Sequence, residues 1–280
     1  MKSKLSFNDK LNKLISRKSS FLCLGLDPDA EKIPAILKYE KNPLHKFVYE
    51  IIEATKDIVV AYKANLAFYE CEGQNGLEAL MDLSLLIPND VLFILDGKKG
   101  DIGNSSEKYA SAYFDHLGAD AVTLNPYMGL DALEPFLKNP EKGSFVLALT
   151  SNESAADFQM LQVGNKPLYL TVAKKVSEWN VKNNCGLVVG ATDIEGLKIL
   201  RQNLPELPFL IPGIGAQGGN LKAVLQYGRD KHGTGVLINI GRDIIYSGKA
   251  KDFAQQARKK ALSYSQEMSK LMHTSWDYLK

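Results

Sequence analysis

Eight short runs of β-branched and other apolar residues recur along the chain, separated by longer segments in which apolar residues return every three or four positions. The runs cover 21–27, 58–65, 91–98, 121–125, 144–150, 186–191, 208–213 and 236–241, and amphipathic helices are expected over 44–56, 105–117, 167–183 and 193–203 among others. Dividing 280 residues among eight runs leaves 35 per unit, enough for one strand and one helix. Parallel strands need a crossover, usually helical, and eight such units are the number that closes a TIM-type (β/α)8 barrel. An open, doubly wound α/β sheet is the competing arrangement, and the pattern favours the barrel. The segments before Phe21 and after Ser247 read as extra N- and C-terminal helices, candidates to cover the barrel floor. No internal linker is evident, so residues 1–280 are expected to form a single domain.

Charge and cysteine content narrow the classes of function. The chain is 45% apolar and 24% charged, and its 34 basic and 32 acidic residues leave a net charge of +2. So small a field does not suit a nucleic acid polymer or an anionic membrane. The first twenty residues interleave Lys and Asn with isolated apolar residues, unlike a signal peptide, and no run approaches membrane-spanning length. Cys23, Cys71 and Cys185 are odd in number and lack paired metal or redox spacing. They read as buried thiols of a reducing compartment, and a cytoplasmic location is expected.

The informative polar residues sit where strands end. Four runs finish at or beside a charge: Asp27, Lys63, the pair Asp96 and Lys98, and Arg242. Singly, each would be an ordinary solvated loop residue; in a barrel, all of these ends open on the face where catalytic groups collect. In FILDGKKGDIGNSS, residues 93–106, Asp96, Lys98 and Asp101 form D-x-K-x-x-D. Strand alternation puts Asp96 and Lys98 on one face and Lys99 on the other, which makes Lys98 the interior lysine. Asp101 follows a glycine in the loop before a helix expected to open at Asn104 or Ser105. Lys63 ends a strand of Val, Ala and Tyr, and an ammonium there requires a counter-charge, for which Asp96 on the next strand is the natural partner. An alternating row of Lys63, Asp96, Lys98 and Asp101 would keep every member ionised.

A third group joins IPGIGAQGGN, residues 211–220, to INIGRD, residues 238–243. Residues 213–218 spell G-x-G-x-x-G, but a dinucleotide fold needs several further strands and only one run follows. Glycine turns after the seventh and eighth strands, here at Gly213 and Gly241, are instead where barrels hold phosphate, and Arg242 could add a two-pronged guanidinium grip.

At these residues the chain resembles the orotidine 5'-phosphate decarboxylase family, in particular its longer bacterial-type branch. The resemblance runs in family order through GLDPD (25–29), YKANLAFYE (62–70), LDGKKGDIGNSSEKYA (95–110), TLNPYMGLD (123–131), TSN (150–152), PGIGAQGG (212–219) and INIGRDIIY (238–246). It implies cofactor-independent and metal-free decarboxylation of orotidine 5'-phosphate to UMP, the final step of de novo pyrimidine nucleotide synthesis. It also implies that Lys98 donates the proton, that Asp96 lies beside the substrate carboxylate, and that Lys63 bridges the charges to ribose. Asp101 would reach into a neighbouring subunit's site, making a homodimer with shared sites. Asp27 would bind ribose hydroxyls, Ser151 the pyrimidine, and Gln217 and Arg242 the phosphate, beside Gly213 and Gly241. Ser105, also expected at the substrate, stands where the family usually has threonine. Two alternatives remain. One is a magnesium-dependent sugar-phosphate decarboxylase or aldolase of the same barrel group, whose members typically carry an acid where this chain has Lys63. The other is a non-catalytic phosphate-binding barrel, which would have no need of Lys98.

Overall fold

The computed structural model describes residues 5–215 and 218–274. All eight expected runs are strands: β1 (Leu22–Gly25), β2 (Ala61–Asn65), β3 (Leu92–Lys99), β4 (Ala121–Leu124), β5 (Gly143–Leu149), β6 (Cys185–Val189), β7 (Phe209–Pro212) and β8 (Val236–Ile240). They are all parallel, each hydrogen-bonded to its neighbours in sequence, and β8 pairs with β1 to close the barrel. The open sheet is thereby excluded. Every residue of β1, β4 and β6 is buried, as expected for strands covered on both faces.

Helices alternate with the strands. The N-terminal helix, α1 (Phe7–Lys18), starts at Ser6, whose side chain accepts from the Asp9 amide. It lies under the N-terminal ends of the strands. The Phe7 ring meets Phe145 edge-on at 5.8 Å, and the Asn8 side-chain amide donates to the Cys185 carbonyl at 3.0 Å. Gly143 has no side chain because a Cβ there would run into the Phe7 ring. The floor is therefore closed by α1, as the sequence suggested.

The C-terminal helix has a different place. α2 (Pro43–Thr55) follows β1, and the last helix, α3 (Phe253–Met272), packs along it in the outer ring. Phe253 stacks on Phe47 at 5.4 Å, and the Arg258 guanidinium donates to both Asp57 carboxylate oxygens and to the Ala54 carbonyl. It completes the ring after β8 rather than lying on the floor, because its apolar stripe, including Ala257, Ala261 and Met268, faces the barrel wall.

Two other local expectations change. The helix after β3 begins at Gly103, preceded by Ile102 without a side-chain cap, so Asn104 and Ser105 occupy its first turn rather than capping it. Cys23 and Cys185 are buried, but Cys71 is exposed at the end of the short helix Ala67–Glu70 that follows β2. No described helix is long and apolar enough to cross a membrane.

Candidate active site

The C-terminal ends of the strands surround a cavity of about 250 Å³. Asp27, Lys63, Asp96 and Lys98 line one side of it, and Gly213, Gly241 and Arg242 the other. Seven of the eleven residues singled out from sequence therefore converge on one space.

Strand pairing sets the charged row. In register, Lys63 of β2 lies beside Gly25 of β1 and Ile94 of β3, while Asn65 lies beside Asp96. The Lys63 ammonium lies 2.8 Å from Asp96 Oδ2 and 3.8 Å from Asp27 Oδ1. Lys98 Nζ donates to the other Asp96 oxygen at 2.6 Å. Within one chain the row thus runs Asp27, Lys63, Asp96, Lys98, with Lys98 at its open end, where 43% of its side chain is exposed against 5% for Lys63.

Burial alone would push Lys63 toward its neutral form, but the Asp27 and Asp96 carboxylates hold its pKa above the ordinary lysine value. Burial would also raise the Asp96 carboxyl, yet Lys63 and Lys98 hold it well below the usual carboxylate range. Lys63 and Asp96 are therefore both ionised throughout neutral pH. Cys23, behind it, is pushed up to about 12 by burial and stays a thiol, which removes it as a nucleophile.

The opposite side is shaped by glycine. Gly213 (φ 110°) and Gly215 (φ 84°) adopt backbone that L-side chains disfavour, and a Cβ on Gly25 would stand 3.1 Å from the Gly241 Cα. Arg242 begins the short helix Arg242–Ile245. Its guanidinium makes no hydrogen bond or ion pair among the described residues, leaving its donors for a ligand in the cavity.

The remaining expected residues lie elsewhere. Asp101 is outside the cavity lining and accepts from the Ile102 amide at 2.8 Å. Ser105 is exposed; its buried neighbour Ser106 donates to the Ala132 carbonyl. Ser151 follows β5 against Gly190, also off the lining. Gln217 lies outside the described residues.

Sequence reasoning missed Thr123, Asn65 and Asn239. Thr123 donates to Asp96 Oδ1 at 2.7 Å, and the Asn65 amide donates to Asp27 Oδ1 at 3.0 Å. A signal was present: Thr123 and Asn239 are the polar residues of the otherwise apolar strands AVTL and VLINI.

Comparison with known proteins agrees with this geometry. Residues 20–258 match the family model described as "Orotidine 5'-phosphate decarboxylase / HUMPS family". The orotidine 5'-phosphate decarboxylase of Dehalococcoides mccartyi strain CBDB1 is 48% identical over 261 residues, covering 92% of this chain and 95% of that protein. That of Christiangramia forsetii is 46% identical over 266 residues, covering 94% and 97%. Among solved structures, Leishmania donovani OMP decarboxylase superposes with a TM-score of 0.84 at 39% identity, covering 97% of this chain and 100% of that one.

Proposed function

The chain belongs to the orotidine 5'-phosphate decarboxylase / HUMPS family, and from that premise we infer that it decarboxylates orotidine 5'-phosphate to UMP, the last step of pyrimidine nucleotide synthesis. The observation that carries this reading within the family is the Lys63 ammonium seated between Asp27 and Asp96. A divalent cation serving a sugar phosphate would need those same carboxylate oxygens, and a buried ammonium already holds them. The accessible Lys98 at the end of the row speaks against a silent phosphate-binding barrel, which has no use for it.

The reaction breaks the bond between C6 of the uracil ring and its carboxyl carbon. The electron pair stays on C6 in an orbital lying in the ring plane, out of reach of the π-system, and CO2 departs. The fixed Lys98 ammonium stabilises that charge as it develops and then transfers a proton to C6, giving UMP; solvent returns a proton to the amine. Asp96 fixes Lys98 and faces the substrate carboxylate. Lys63 keeps Asp96 ionised and reaches toward ribose, whose hydroxyls Asp27 accepts. Arg242 and Gln217 grip the phosphate beside Gly213 and Gly241, while Ser151 meets the pyrimidine. The protein supplies all of this chemistry from its own side chains, with no cofactor.

The active form is a cytoplasmic homodimer, each chain a single catalytic domain over 1–280. Asp101, outside its own chain's cavity, serves the partner's site, and Ser105 is a substrate contact. The free state of all three cysteines and the phosphorylated substrate support the location.

The test is the loss of ultraviolet absorbance of orotidine 5'-phosphate with purified protein, with and without EDTA, beside Lys98→Ala. Turnover that resists EDTA and vanishes in the variant, while UMP still binds, is the expected result. Absent turnover by folded protein, or turnover needing magnesium, would replace this reading with the sugar-phosphate one.

A further inference from the structure

The strand carrying Asp96 and Lys98 does not run straight. Leu95 pairs with Val122 and Lys99 with Leu124, so Asp96, Gly97 and Lys98 on β3 stand opposite the single residue Thr123 on β4. The extra length is a bulge, and it is taken up at Lys98, whose φ of 46° is left-handed. A non-glycine residue in that conformation is strained and needs surrounding contacts to hold it. Lys98 has no partner in the ladder register, and its amide donates to Thr123 Oγ1 at 3.0 Å. The same hydroxyl donates to Asp96 Oδ1 at 2.7 Å, the oxygen that also accepts from Lys98 Nζ. Thr123 is 1% exposed, and its hydroxyl joins the backbone and the side-chain partner of one lysine.

We propose that Thr123 is a positioning residue, whose hydroxyl locks the left-handed backbone at Lys98 to the orientation of the Asp96 carboxylate and so aims the Lys98 ammonium into the cavity. The aim of the ammonium as a proton donor rests on the decarboxylase reading; the lock on the bulge does not. The arrangement explains why simple strand alternation is insufficient here: past Leu95, the direction of Lys98 is set by one hydroxyl on the next strand rather than by the pleat.

The experiment compares Thr123→Val, which keeps the branched shape and loses the hydroxyl, with Thr123→Ser, which keeps the hydroxyl. For Thr123→Val, kcat for orotidine 5'-phosphate should fall about 100-fold, as expected for a misplaced reacting group, with KM changed less than about threefold. Thr123→Ser should stay within about threefold of wild type in both. Crystal structures should show Lys98 leaving the left-handed region, or its ammonium leaving Asp96, in the valine variant alone; Thr123→Ala replaces it if valine does not fold. Wild-type kcat in Thr123→Val, equal losses in Ser and Val, or an unmoved Lys98 would each overturn the proposal. If wild type fails to decarboxylate orotidine 5'-phosphate, the decarboxylase reading falls, and the Lys98 backbone in the hydroxyl-free variant still decides whether Thr123 holds it.

Discussion

At the scale of single residues, the site is a problem in keeping charge inside a barrel. Lys63 and Asp96 are both buried, and each would be costly alone; together with Asp27 and Lys98 they neutralise one another at short range. This arrangement sets a pH dependence for stability. Asp96 has a lower pKa folded than unfolded, so it stabilises the fold above the ordinary carboxylate pKa of about 3.9 and loses that contribution as pH falls below it. Lys63 has a raised folded pKa, so its contribution is complete below the ordinary lysine value of about 10.4 and is lost as pH rises through the folded value. Urea unfolding should show this contribution constant between about pH 5 and 9 and declining toward pH 3. In Asp96→Asn, less stable at neutral pH, the further loss between pH 7 and pH 3 should be smaller than in wild type; equal losses would remove the row from the acid limb. The D-x-K-x-x-D spacing made Asp96 and Lys98 legible in sequence, as did the lone lysine at the end of an apolar strand for Lys63. Thr123 stood out only as the polar residue of an apolar strand, and its role was not legible, because a buried threonine in a strand is commonplace until its partners across the bulge are known.

Among the secondary elements, the strands were the most legible, since a barrel strand covered on both sides must be an almost unbroken apolar run. The helices were found by their periodicity, with boundaries moved by local chemistry: the segment expected over 105–117 begins at Gly103 and ends in a single π turn, Ala112–His116. The two terminal helices carry similar amphipathic patterns but do different work. α1 closes the floor through Phe7, which is 1% exposed and set against Phe145 and the bare backbone of Gly143. Phe7→Ala should therefore destabilise the protein by about 3–5 kcal/mol in chemical denaturation, the usual cost of removing a buried phenylalanine. Because Phe7 lies at the opposite end of the strands from the cavity, kcat of the folded fraction should be unchanged. A change in stability below about 1 kcal/mol would mean that α1 is an appendage rather than the floor.

For the molecule as a whole, the proposal concerns assembly. Asp101 lies outside the cavity of its own chain, so the proposed shared sites make a direct prediction. Inactive Lys98→Ala and Asp101→Ala proteins, mixed under conditions of subunit exchange, should regain activity, since each mixed dimer rebuilds one intact site. No recovery despite demonstrated exchange would confine each site to one chain. The eightfold alternation of strand and helix, and the charges placed at strand ends, were determined by sequence alone, because burial on both faces demands unbroken apolar runs in the strands, burial on one face demands a period of about 3.6 residues in the helices, and a barrel gathers all its strand ends on one face. The direction of Lys98, the hub at Thr123, the different places of the two terminal helices and the separation of Asp101 from the cavity were decided only in three dimensions. Each depends on which residue of a distant segment stands opposite, and that register is fixed by closing the barrel rather than by any local pattern.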